Sequence, residues 1–335
     1  MKEFIPGLYL LKLPLDKFFP GHINSYLLRD KTGYVLIDTG WDTKSAFSSL
    51  KTQLAEIGVS IEQISKILLT HSHTDHAGMV GRIKKLAGAT IYMHKLEEEV
   101  VKSRFLNSVE HGHNDFFTVT DSLLKKHGTP AADLSRPDFV PPKVSSPPKA
   151  DVILTDGEIL EFDNFKLKVI FTSGHSPGHL CFYETKHQLL FSGDLILPET
   201  ISNVGLHLHQ SANPLDAYLN SLKLVGGLSV SQVLPAHEYI FTDLTGRIGR
   251  IAGHHAKKNT GVMQVVADGK PRTAFEISYA MSIFPDTRLS GWDKLSLWDK
   301  RFILLEIIAH LESLFYRGKL MKYSDNGAIL YQFRV

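Results

Sequence analysis

The chain has 335 residues, 43% hydrophobic and 21% charged, with a formal net charge of +2. This length suits one large domain or two, the composition is that of a soluble globular protein, and the near-zero charge exerts no long-range pull on nucleic acid or an anionic membrane. No run of about 18 apolar residues is present to span a bilayer, and a single cysteine, Cys181, excludes an internal disulfide framework and fits a reducing, cytoplasmic setting.

The opening "MKEFIPGLYLLKLPLDKFF" is apolar but broken by Pro6, Pro14 and Asp16. No small-residue cleavage site follows it, so it reads as strands and not as a signal peptide. "NSYLLRD" and "GYVLIDTG" read as two strands joined by a turn at Asp30–Gly33. "TKSAFSSLKTQLAEIG" has helical spacing and a stop at Gly58. "ISKILLT" is a buried strand, "GMVGRIKKLAG" a short helix and "TIYMH" another strand.

Residues 96–150 read as an insert. Its first part, to 128, is helical, with Phe105, Leu106, Phe116, Phe117, Leu123 and Leu124 as apolar anchors. Its second part, 129–150, holds six of the 15 prolines and is expected to be extended and irregular. Strands return with "DVILTDGEIL", "FKLKVIFTSGH", "HLCFYET" and "QLLFSGDLIL". The pairing of "ILLTHSH" with "VIFTSGH" is a weak echo between two halves. "NPLDAYLNSLKLVGG" is a helix capped by Asn213 with Pro214 in its first position, and "SQVLPAHEY" is a last short strand.

Beyond about residue 246 the pattern is helix, helix, helix, then two strands around "DNG", a tight-turn signal. That order is the order of a winged-helix domain, giving domains at 1–246 and 247–335. The apolar positions Leu304, Ile308, Leu311 and Phe315, extended by Ile303, Ile307 and Leu314, form the face of a long helix. Such a face suits a core or a subunit contact, as in a homodimer, better than a groove reader.

The 17 histidines invite a search for a cluster. "LLTHSHTDHAG" supplies one, since His71, His73, Asp75 and His76 follow directly on a strand. A rigid sheet with a loop beyond it can aim side chains inward. His71 and His73 alternate along extended backbone and can converge on one metal, while Asp75 and His76, a turn further on, can face a second. Three more candidates end apolar runs in small-residue loops: His175 in "TSGHSPGH", Asp194 in "FSGD" and His237 in "LPAHE". Five imidazoles and two carboxylates suit zinc, iron or manganese and argue against calcium or magnesium. His111, His113, His207, His209, His254 and His255 have no partner visible in sequence and read as surface or packing, His207 and His209 being the best exceptions.

The set "YVLIDTG", "THSHTDHAG", "TSGHSPGH", "SGD" and "AHE", in this order, resembles the metallo-β-lactamase superfamily over most of residues 1–240. The resemblance implies an α/β fold, an αββα sandwich with a metal site at one edge. By the same resemblance, His71, His73 and His175 match the ligands of a first ion, Asp75, His76 and His237 those of a second, and Asp194 the bridging carboxylate. Asp38 matches an aspartate that supports the site, and His179 a histidine that is usually not a ligand. The implied chemistry is hydrolysis by a metal-bridging hydroxide, with two divalent ions, zinc first, and Asp75 as proton acceptor.

The substrate is less marked. "HEY" at 237–239 resembles the glyoxalase II hydrolases, but their basic glutathione-binding residues are absent from matching positions. The tail resembles the lactamase-beta-like group, some of whose members cleave single-stranded RNA. Residues 251–335 hold 12 Lys and Arg against 8 Asp and Glu, which is no basic stripe. Phe105, Phe116, Phe117 and Phe139 can give the insert an apolar inner face and make it a lid. The expectation is therefore a small acyl ester, thioester or lactone as substrate. An endoribonuclease or phosphodiesterase, and a non-catalytic metal-binding regulator, are the alternatives.

Overall fold

In the computed structural model the described residues are 2–16, 20–111, 115–135, 142, 149–206, 211–281 and 291–334, with side chains described at all of these except Lys2, 104–111 and 115–119. The apolar insert positions Phe105, Leu106, Phe116, Phe117 and Phe139 lie outside that description. The chain forms two compact units. One comprises Met1–Leu106, Pro141–Ser202 and Ser221–Ile248; the other comprises Asn107–Val140, Asn203–Asn220 and Gly249–Val335. No described helix is long and apolar enough to cross a membrane.

The first unit holds two sheets. In the first, β1 (Lys2–Ile5), β2 (Leu8–Pro14), β3 (His22–Asp30), β4 (Gly33–Ile37), β5 (Ile64–Leu68), β6 (Thr90–His94) and β7 (Val152–Leu154) lie side by side in chain order. Pairing is antiparallel from β1 to β4 and parallel from β4 to β7. The change follows from the connections. Two residues between Asp30 and Gly33 allow only a hairpin, whereas α1 (Lys44–Ala55), α2 (Thr74–Ala77) and α3 (Val80–Ala87) carry the chain back to begin parallel strands. Thr43 caps α1 by accepting the Ala46 N–H, and Gly88, at φ 68°, ends α3.

The second sheet has the order β12 (Gln232–Pro235), β11 (Leu189–Gly193), β10 (Leu180–Glu184), β9 (Phe165–Phe171), β8 (Ile159–Phe162). "DVILTDGEIL", expected as one strand, is divided between the sheets: β7 ends the first and β8 begins the second. Between them Gly157 takes φ +80°, and the Asp156 carboxylate accepts the Phe171 N–H. A single extended run cannot make that turn.

Strand alternation explains the layers. Leu28, Val35, Ile37 and Leu68 of the first sheet pack against Leu167, Val169, Leu180, Phe182, Phe191 and Leu234 of the second in one buried core. Leu36, Ile67 and Ile91 alternate to the other face, where Leu50, Leu54 and Ile83 of α1 and α3 are also buried. Asn24 and Tyr26 of β3 donate from Nδ2 and OH to the Pro235 carbonyl of β12 at 3.0 and 2.8 Å, tying the sheets together.

Strand direction positions the site. β4 and β5 are parallel, so Asp38 and the 70–76 loop leave the first sheet at the same edge. β9 and β11 both run antiparallel to β10, and β12 runs parallel to β11. The loops after β9, β11 and β12, which carry His175, Asp194 and His237, therefore share one edge of the second sheet.

In the second unit, α8 (Ala274–Met281) and α9 (Leu297–Tyr316) precede the hairpin β13 (Leu320–Asp325) and β14 (Ala328–Phe333). Asn326 and Gly327 take φ 47° and 83°, the left-handed pair a two-residue hairpin turn needs. α7 (Leu244–Val265) contributes Val262 to the core of this unit, and α5 (Asp115–Lys126) contributes Leu124. Leu304, Ile308, Leu311, Ile307 and Leu314 of α9 are buried in that core, while Ile303 is partly buried against it. α6 (Pro214–Gly226) starts as its sequence predicts, with Asn213 Oδ1 accepting the Asp216 N–H at 3.2 Å.

Candidate metal centre

The four strand-end loops bring seven predicted side chains into two adjoining groups. In the first, His71 Nε2 lies 2.8 Å from His73 Nδ1 and 3.3 Å from His175 Nε2, and His175 Nε2 lies 3.1 Å from His73 Nδ1. Three mutually adjacent ring nitrogens cannot all be satisfied by hydrogen bonds to one another. Their spacing is close to the edge of about 3.3 Å of a tetrahedron whose ligands stand 2.0–2.1 Å from zinc. Burial, with the neighbouring His76, His73 and His175, holds His71 well below the ordinary imidazole range, so it presents a lone pair.

The second group is His76, Asp75 and His237. Asp75 Oδ2 stands 3.6 Å from His76 Nε2 and 3.3 Å from His237 Nε2. Asp194 faces both groups, with Oδ2 3.5 Å from His175 Nε2 and from His76 Nε2, and Oδ1 3.4 Å from His237 Nε2. Burial alone would raise Asp194, but His76 and His237 outweigh it and hold the carboxyl well below the carboxylate range. Burial likewise disfavours the His76 cation, yet Asp194, Asp75 and Asp38 together raise it well above the imidazole range. Three carboxylates around one buried ring thus demand positive charge. His76 Nε2 and Asp194 Oδ1 are buried and make no hydrogen bond among the described residues. Orphaned atoms of this chemistry fit a divalent cation.

The opposite nitrogens are anchored. His76 Nδ1 donates to Asp38 Oδ2 at 2.8 Å, and Asp38 also accepts from Thr70 N and Oγ1. His71 Nδ1 lies 3.1 Å from Thr70 Oγ1, and His237 Nδ1 donates to the His22 carbonyl at 3.2 Å. Each anchor fixes a tautomer and leaves the other nitrogen for a metal. His179 differs. Its Nδ1 donates to Thr172 Oγ1 and its Nε2 accepts the Asp194 N–H at 3.1 Å, so both nitrogens are used and it orients Asp194. Burial pushes it down to about 3.

The family model for the metallo-beta-lactamase superfamily matches residues 18–237. The chain belongs to this superfamily. A metallo-beta-lactamase family protein from Thermus thermophilus is 30% identical, with a TM-score of 0.79 over 99% of this chain and 100% of that one. A beta-lactamase domain protein from Burkholderia ambifaria shares the fold at 24% identity and TM-score 0.78, covering 99% and 94%. "Probable metallo-hydrolase YqjP" of Bacillus subtilis is 23% identical over 322 residues, 94% of each chain. An "Atrochrysone carboxyl ACP thioesterase" of Aspergillus fumigatus is 22% identical over 250 residues, 75% of this chain and 45% of that protein. Membership of this superfamily, with relatives described as a metallo-hydrolase and a thioesterase, identifies the chain as an enzyme.

Several residues that build this metallo-beta-lactamase site carry no signal of their own in the sequence. Arg247, buried, donates to the carbonyls of Leu197, Glu199 and Thr200 and so braces the loop after Asp194. Glu238, at φ 67°, accepts from Glu199 N and Thr200 N, and from Thr200 Oγ1. Glu97 accepts from Ser72 and Gly178. Of the remaining histidines, the side chains of His111, His113, His207 and His209 lie outside the described residues. His255 is buried, as a packing role predicts, and groups with Glu306 and His310 in the second unit. There Lys258 takes Glu306 at 2.6 Å, while His310 bonds Asn259 Oδ1 and His255. A cation already fills the one acidic position, so this trio reads as packing.

Proposed function

We propose that the chain is a dinuclear metal-dependent hydrolase acting on a small acyl ester, thioester or lactone. His71, His73 and His175 would hold one ion, Asp75, His76 and His237 the other, and Asp194 would bridge. Zinc is the first choice, with iron and manganese compatible with the same donors. The observation that carries the reading is Asp194, whose two oxygens address His76, His175 and His237 at 3.4–3.5 Å. The ions would lower the pKa of a water toward neutrality and polarise the scissile carbonyl. Every other role falls to the chain. Asp75 stands beside His237 and His76, where it orients the attacking water and accepts its proton. Asp38 and Thr70 hold His76 and His71 in register, and His179 holds the Asp194 backbone.

The acyl class draws support from the fungal thioesterase relative and from a tail without a basic stripe. We also read 1–246 as the catalytic domain and 247–335 as a winged-helix domain. The last rests on three helices followed by a hairpin. The test is elemental analysis of protein purified without chelator, followed by turnover on a panel of esters, thioesters, lactones and phosphodiesters. About two ions per chain and turnover confined to acyl substrates are expected. Saturation at one ion rejects the dinuclear site. Phosphodiester cleavage that falls steeply with salt assigns a nucleic-acid substrate instead.

A further inference from the structure

We infer that Glu97 is a positioning residue that clamps together the two loops supplying the first metal position. This inference rests on the proposed ligand set. His71 and His73 come from the loop after β5, and His175 from the loop after β9, so that position depends on two segments more than 100 residues apart. Glu97 joins them. One carboxylate oxygen, Oε2, accepts from Ser72 N at 2.8 Å and Ser72 Oγ at 2.6 Å; the other, Oε1, accepts from Gly178 N at 2.7 Å. Ser72 lies between His71 and His73, and Gly178 lies three residues beyond His175.

Local structure puts the carboxylate there. β6 lies beside β5, and its end turns directly into α4 (Lys95–His111), so the first turn of α4 comes up beside the ligand loop. His94 Nδ1 accepts the Leu96 N–H at 3.2 Å, and Glu97 sits in that first turn, where unpaired helix N–H groups favour an acid. The side chain is 1% exposed. An independent observation is the fit of Gly178. A Cβ there would stand 2.8 Å from His94 Nδ1 and 2.9 Å from both Glu97 Cγ and Glu97 N. The "GHSPGH" loop is therefore seated against α4 so closely that only glycine fits. A carboxylate with three donors from two loops holds both at one separation; a neutral amide offers one acceptor oxygen and cannot serve both.

The second metal position takes Asp75, His76 and His237, whose anchors are Asp38 and the His22 carbonyl, and Glu97 touches none of these. The clamp thus predicts a site-selective defect, which a merely structural role does not. Metal affinities are measured by competition with a chromophoric chelator, for the parent and Glu97→Gln. The same pair is then compared in a His237→Ala background, which removes one donor of the second position and none of the first. Expected is a 10- to 100-fold weaker first ion in Glu97→Gln, the scale of losing a residue that orients ligands, with the second ion changed less than threefold. Equal weakening of both ions, or no change, overturns the inference. If Glu97→Gln does not fold, Gly178→Ala tests the same seat and is expected to weaken the same ion. Unchanged first-ion affinity there also overturns the clamp. If the parent itself saturates at one ion, the dinuclear reading fails, while Glu97→Gln against parent at that ion still decides the clamp.

Discussion

Asp38 Oδ2 accepts a hydrogen bond from His76 Nδ1 at 2.8 Å, from a backbone held at φ 56°. A left-handed conformation in a residue other than glycine is strained, and here it aims the carboxylate at His76 and Thr70 together. Asn tolerates that region, so Asp38→Asn isolates the loss of charge and of one acceptor from any backbone effect. The second ion should bind 10- to 100-fold more weakly and the first should weaken less, because Asp38 reaches His71 only through Thr70. Chelator competition on the two proteins checks it; equal affinities would show that Asp38 does not act through His76.

Asp75 and Asp194 are expected to separate chemistry from binding. Asp75→Asn keeps the shape and an oxygen but removes basicity, so turnover should fall by about 10²-fold or more while the first ion stays bound. Asp194→Ala removes the carboxylate between the two donor groups and should lose metal and turnover together. Metal content and rate are read on the same preparation. Near-parent turnover in Asp75→Asn with metal intact removes Asp75 from the mechanism.

Ile308 is fully buried in the core of the second unit, among Leu304, Leu311 and Val262. Ile308→Asp places an unpaired charge there and should destabilise by several kcal/mol. Chemical denaturation of the full chain followed by tryptophan fluorescence is a suitable readout, because Trp292 lies in the same core. An unchanged midpoint would mean that the face is not a core.

Acid should weaken the second unit. Burial pushes His127 and His255 down to about 4 from the ordinary 6.5. Below pH 6.5 the unfolded chain takes up protons that the folded chain refuses until about pH 4. Stability therefore falls as pH drops through that window, by up to about 3 kcal/mol for each group. His127 stacks on Tyr331 at 5.9 Å, so His127→Phe keeps a ring and removes the proton site. Between pH 7 and 4.5 the variant should lose measurably less stability than the parent. An identical pH slope would show that His127 is not responsible.

Much of this protein is written locally. The 3.6-residue spacing of α1 and α9, the turn at Asp30–Gly33, the Asn213 cap and the "DNG" hairpin each depend on residues a few positions apart, and each formed as expected. The metal-binding chemistry is legible for the same reason. Ligand-type residues crowd the ends of apolar strands, and only a loop beyond a rigid sheet can use them in that way. Tertiary structure decided what no local pattern encodes. The break of "DVILTDGEIL" into strands of two sheets depends on which partner each half finds, and both halves carry the same alternation. Strand direction, set by connections, put four distant loops at one edge. Glu97 and Arg247 look like ordinary helix charges in sequence. They become parts of the site only because the groups they satisfy, the Ser72 and Gly178 amides for one and the carbonyls of 197–200 for the other, come from elsewhere in the chain: a carboxylate seated by buried N–H groups and a guanidinium by buried C=O groups.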